Sequence, residues 1–190
     1  MNDKAIPSDA VGASVTASNS VAARMMAGGV YTVQCFDKDG NLKWEDKAHN
    51  LVVNQGLKDM NDKYFSGSTY TAAWYLGLIT GPGASTTYAA TDTLASHAGW
   101  TEFTDYSGNR GAISFGGATL ADPSVITNGT AVQFNITGAG GTVAGAFLSS
   151  VATGTAGILF SESDFQAPGD RAVVSGDVLN VTYTFSLDAA

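Results

Sequence analysis

Residues 177–187, Asp-Val-Leu-Asn-Val-Thr-Tyr-Thr-Phe-Ser-Leu, constrain this chain more than any other stretch. Leu179, Val181, Tyr183, Phe185 and Leu187 take every second position, with Asn180, Thr182, Thr184 and Ser186 between them. Successive side chains of a strand point to opposite faces, so the pattern predicts a half-buried β-strand with one apolar and one hydroxyl/amide face. Burying each large apolar side chain contributes about 1.5–3 kcal/mol, enough for this run to anchor one wall of a core. Its closing position predicts that it slots between strands already present, with Val181, Tyr183 and Phe185 buried.

The rest of the chain reads as further short strands. Residues 30–36 alternate, with Tyr31, Val33 and Cys35 on one face, and Leu42 and Trp44 resume the alternation after Asp37-Lys38-Asp39-Gly40-Asn41. Asp39-Gly40 between two such runs predicts a hairpin with a type I′ turn. The same residues begin like a calcium loop, but an EF-hand requires a Glu at its twelfth position, and Ala48 stands there. Leu57, Met60 and Tyr64 are spaced three and four apart, predicting one short amphipathic helix over 54–65 with Asn54 as its cap. Residues 73–79 are apolar on both faces, as in a buried central strand, and Gly81-Pro82-Gly83 stops them. Further strands are expected over 100–106, 112–115, 124–126, 132–136, 143–148, 157–160 and 172–174. Nine or ten short strands with one helix predict an all-β fold, a β-sandwich or jelly roll, in one domain over 30–190.

Residues 1–29 show neither strand alternation nor a capped helix, and are rich in Ala, Ser, Val and Gly. They read as an extended N-terminal arm whose apolar anchors are Val11, Val15, Val21, Met25 and Met26. Ordering such a segment costs roughly 1–2 kcal/mol of backbone entropy per residue, which only contact with a surface offsets. The expected surface is that of a neighbouring subunit.

Charged residues are 14% of the chain, against roughly 25% in an average soluble domain. The surface is therefore polar mainly through Ser, Thr, Asn and Gly, as in β-proteins that live in assemblies or outside cells. A formal net charge of −8 repels phosphate backbones, which disfavours nucleic acid as a partner. Cys35 is the single cysteine, so an intrachain disulfide and a multi-cysteine metal site are both excluded. No apolar run approaches the ~18 residues that suggest a membrane span, and the first ten residues do not resemble a signal peptide. The expectation is a soluble chain made in a cytoplasm.

Catalytic constellations are not legible. His49 and His97 have no nucleophile or acid at a recognised motif spacing. Glu162, Asp164 and Asp170 read as one acidic loop, solvated in the simpler reading and a calcium site in the sharper one. Neither a metal nor a cofactor is expected to be required. Asn128, Asn135 and Asn180 open glycosylation-type triplets, a pattern that Asn/Thr-rich strands produce by chance.

Five stretches in order, residues 36–44, 50–57, 74–79, 95–102 and 172–177, resemble a family of small structural proteins of tailed bacteriophages. The match runs from about Val30 to Leu187. Within that family the nearest role is the jelly-roll decoration, or cement, protein that binds the outside of the capsid and braces it after expansion. The resemblance implies a virion location on the capsid exterior, the major capsid protein as partner, a homo-oligomer (dimer or trimer), and no catalytic residues. The competing reading is a fibre or receptor-binding module that contacts carbohydrate through exposed aromatics. A third is an enzyme such as a depolymerase.

Overall fold

The computed structural model of the chain describes residues 26–70, 73–80, 86–165 and 169–189. About half of the described residues are strand. In chain order the elements are β1 (Met26–Phe36), β2 (Leu42–Val52), α1 (Asn54–Tyr64), β3 (Trp74–Thr80), β4 (Thr101–Phe103), β5 (Gly111–Ile113), β6 (Ser124–Thr127), β7 (Val132–Asn135), β8 (Gly141–Val143), β9 (Gly145–Ser149), β10 (Leu159–Asp164), β11 (Arg171–Val173) and β12 (Val178–Asp188). The fold is all-β with a single helix among the described residues.

The alternating run that closes the chain is β12, and it lies in the interior of the sheet. One side pairs antiparallel with β1 along the whole of both strands, from Met26 opposite Asp188 to Phe36 opposite Val178. The other side pairs with β7 over Val178–Val181 and with β6 over Thr184–Leu187. Asn128 fills the gap between those two partners. Its Nδ2 donates to the carbonyls of Thr130 (2.8 Å) and Val181 (3.3 Å), and its Oδ1 accepts from the Tyr183 amide at 2.7 Å. This glycosylation-type Asn is therefore a buried plug in the sheet.

β2 joins two halves of the sheet. Its first part pairs with β1, and its last residues, Asn50–Val52, pair with β10, which leads through β9 to β3 and then to β4 and β5. Two bridges, Tyr106 to Ile136 and Phe115 to Asn128, link the β4/β5 margin to the β6/β7 margin. The main core lies between the halves. Tyr31, Val33 and Cys35 of β1 and Leu179, Val181 and Tyr183 of β12 are fully buried against Leu76, Leu78 and Leu148. The rings of Tyr31 and Tyr183 stack with centroids 4.5 Å apart. Burial of two phenols requires polar partners. Tyr31 Oη sits 2.6 Å from Ser161 Oγ, and Tyr183 Oη accepts from Asn50 Nδ2 at 2.8 Å.

Several local expectations are corrected. β1 begins at Met26, ahead of the expected Val30, because Gly29 lets it run close to β12: a Cβ there would lie 2.5 Å from the Thr184 carbonyl oxygen. The hairpin turn is not type I′. Only Gly40 has a positive φ (+83°) among these residues, and the Gly40 amide donates to the Asp37 carbonyl while the Asp37 amide donates to the Asn41 carbonyl. That is a three-residue loop, a type I turn followed by a left-handed glycine. The Asp37 carboxylate holds it by accepting from the amides of Asp39 and Asn41.

Asn54 does not cap the helix. Val53 occupies the cap position without a side-chain hydrogen bond, and the Asn54 amide donates to the Ala90 carbonyl at 2.8 Å. Of the expected apolar helix face only Met60 packs against the core; Tyr64 is 83% exposed and Leu57 40% exposed. The helix is seated through Gly56, where a Cβ would meet the Phe160 carbonyl oxygen at 2.4 Å. The single strand expected over 143–148 divides at Ala144, because β8 pairs with β11 whereas β9 pairs with β3 and β10. The stop at 81–83 and the arm anchors Val11, Val15, Val21 and Met25 lie outside the described residues. Met26, the remaining anchor, is in β1 and 63% exposed.

Candidate interaction surface

The acidic cluster does not behave as a loop. Glu162 and Asp164 belong to β10, and Glu162 is fully buried. Glu162 Oε2 accepts from Trp100 Nε1 at 2.8 Å, across 62 residues of sequence, while Oε1 has no hydrogen-bond partner. Burial disfavours the charged form, and the neighbouring Asp92 pushes the same way, so the Glu162 pKa rises to about 8 despite the opposing indole hydrogen bond. A neutral carboxylic acid is the form that suits this site at neutral pH. Burial and the nearby Asp170 also raise the pKa of Asp164.

Burial and all three of these carboxylates raise the pKa of the Tyr88 hydroxyl, which lies near them, but no group of three side chains that could hold a metal ion comes together among the described residues. The surroundings are structural instead. His97 stacks on Trp100 at 3.7 Å, with its Nδ1 3.0 Å from the Trp100 carbonyl oxygen. Trp100 packs on Phe147, in a second core with Val53, Ile79, Leu94 and Leu159. Arg110 closes this end, paired at 2.8 and 2.7 Å with Glu102 and centred 5.1 Å over the Phe147 ring. His49 is elsewhere, exposed on β2.

Another end of the domain is open. Beyond Tyr183 the apolar face of β12 continues with Phe185 and Leu187, which are only half-buried. Trp74, Phe160 and Phe185 form a ladder of edge-to-face rings at 5.4 and 5.5 Å. These rings line a cavity of about 210 Å³ shared with Met60 and Tyr70. It continues into a groove of about 640 Å³ walled by Met60, Tyr64, Phe65, Tyr70 and Leu187. Phe65 and Tyr70 are 76% and 67% exposed. Lys63 lies along the groove with its charge satisfied, donating to the Thr69 carbonyl at 2.9 Å and pairing with Asp59. Contiguous exposed apolar surface of this kind marks a place of contact.

Sequence reasoning missed this surface. Its signal was Tyr64-Phe65 immediately before Ser66-Gly67-Ser68, two aromatics at the end of a helix with no following apolar turn to bury them. Scanned against protein-family models, curated proteins and solved structures, the chain matches none of them.

Proposed function

We propose that this chain is a non-enzymatic structural protein of a tailed-bacteriophage virion, a decoration or cement protein of sandwich or jelly-roll type. In this reading it is made in the host cytoplasm, binds the outer capsid surface through the major capsid protein as a dimer or trimer, and braces the expanded head. One observation supports the reading beyond the resemblance itself: the stretches that bear the resemblance come together in space, three in one core and the other two through an ion pair. Leu51 and Val53, Ile79, and Trp100 come from three of them and share the second core. The other two are tied by Lys43 Nζ donating to the buried Asp177 carboxylate at 2.5 Å. Residues that jointly frame a fold are what a structural family would hold in common.

The experiment is to add the purified chain to undecorated expanded shells and measure occupancy and resistance of the shells to heat. Saturable coverage with raised heat resistance is expected; shells that stay bare at saturating protein would overturn the reading. The fibre or receptor-binding reading has its own supporting observation, the exposed rings of Tyr64 and Tyr70. Copy number on the virion separates the two: many copies spread over the shell for a cement protein, few and confined to the tail for a fibre.

A further inference from the structure

We infer that the apolar groove at the open end is the seat of residues 1–25 of the same chain. The inference does not depend on the virion reading. It begins from where that segment joins the fold. Met26 is paired with Asp188, and Ala27 is paired with Leu187, which forms one wall of the groove. Directly opposed residues of an antiparallel pair share a face of the sheet. Ala27, Gly29 and Tyr31 therefore stand on the face of Leu187, Phe185 and Tyr183, the face that turns toward the core and then runs out into the groove. A strand continued by one residue would set position 25, a methionine, on the groove side.

The composition of the segment matches the groove. Ile6, Val11, Val15, Val21 and Met25 are its spaced apolar residues, set mainly among Ala, Ser, Gly and Thr, with Asp3, Lys4, Asp9 and Arg24 as its charged residues. The groove offers Met60, Tyr64, Phe65, Tyr70 and Leu187, with its one cation already paired. Val21 is within about 16 Å of Met26 along an extended chain, so the anchors nearest the junction can engage without a long detour. A short tether also gives the segment an effective concentration on the order of millimolar at its own groove, which favours the same chain over a second copy in dilute solution. Seating it there covers the aromatic side chains that the described residues leave exposed.

The test uses the full chain and the dye ANS, which fluoresces on exposed apolar surface. Three proteins are compared: wild type, a Val15→Ser/Val21→Ser/Met25→Ser variant, and that variant carrying Tyr64→Ser and Phe65→Ser as well. All six core strand residues of β1 and β12 are retained in each, and far-UV circular dichroism checks that the β-domain is intact. Wild type should bind little dye, the first variant several-fold more, and the second should return toward wild type. Low dye binding by wild type should also persist after dilution to nanomolar protein. Equal fluorescence of wild type and the first variant would overturn the inference, because the apolar residues of this segment would then not be what covers the groove. Dye signal per molecule that rises on dilution would overturn it too, by showing that the segment sits in another copy.

Discussion

The two ends of this domain use the same kinds of residue to opposite effect. At the sealed end Trp100 is 3% exposed, with Phe147 beneath it, His97 above it and Glu162 accepting its indole N–H. At the open end Tyr64 and Phe65 touch each other at 4.8 Å and otherwise stand in solvent. Burial at the first end raises the Glu162 pKa, whereas at the second the described residues leave the rings of Tyr64 and Phe65 exposed. An aromatic residue stabilises a fold only when the surrounding chain closes over it. The contrast therefore separates a structural end, complete in itself, from a contact end that needs an occupant.

The largest effect should come from breaking the sealed end. Trp100→Ala removes a buried indole and the donor to Glu162, and should cost about 3–5 kcal/mol in denaturant unfolding. A loss below about 1 kcal/mol would show that Trp100 is not part of the core. Gly77→Ala should also destabilise, by about 1–3 kcal/mol, because its Cβ would lie 2.3 Å from the Phe147 ring.

The pH dependence sharpens the same contrast. An unfolded Glu titrates near its ordinary value of 4.5, and Glu162 in the fold near 8. Between those values the folded chain keeps a proton that the unfolded chain releases, so the contribution of this group is complete below about pH 4.5 and declines as pH rises toward 8. The slope from one group is at most about 1.4 kcal/mol per pH unit. Glu162→Gln should flatten the decline, read as unfolding midpoints at pH 5, 6.5 and 8; an unchanged profile would mean that another group controls it.

Smaller effects are expected elsewhere. Tyr64→Ser together with Phe65→Ser should shift stability by less than about 1 kcal/mol, and a loss as large as that for Trp100→Ala would erase the distinction between the ends. Chelation should do least: the unfolding temperature is expected to be the same with and without EDTA. A fall of several degrees would point to calcium held near Glu162, Asp164 or Asp170.

The fold was legible in the sequence wherever period-two alternation was undisturbed. β12, and β1 from Val30 onward, follow directly from their side-chain patterns, whereas 26–29 read as part of the arm; Asp39-Gly40 marked the hairpin although not its turn type, since only the glycine takes a positive φ. What the alternation could not show was contact between distant residues. Glu162 looked like part of a solvated loop because its partner, Trp100, is 62 positions away and its burial depends on residues 86–100 folding over β10. Helical spacing misled at Leu57 and Tyr64 for a related reason. The helix meets the sheet through Gly56 against the Phe160 backbone and through Gln55 Oε1, which accepts from the Leu159 amide, so apolar spacing identified only Met60 of the buried face.

The most direct measurement is hydrogen exchange on the full wild-type chain beside the Val15→Ser/Val21→Ser/Met25→Ser variant. If the sealed end is complete in itself and the open end is closed by residues 1–25, amides of residues 57–70 should exchange faster in the variant, while those of 97–102 and 159–163 should exchange alike in both. Equal protection of residues 57–70 in the two proteins, or loss of protection at both ends together, would contradict the account.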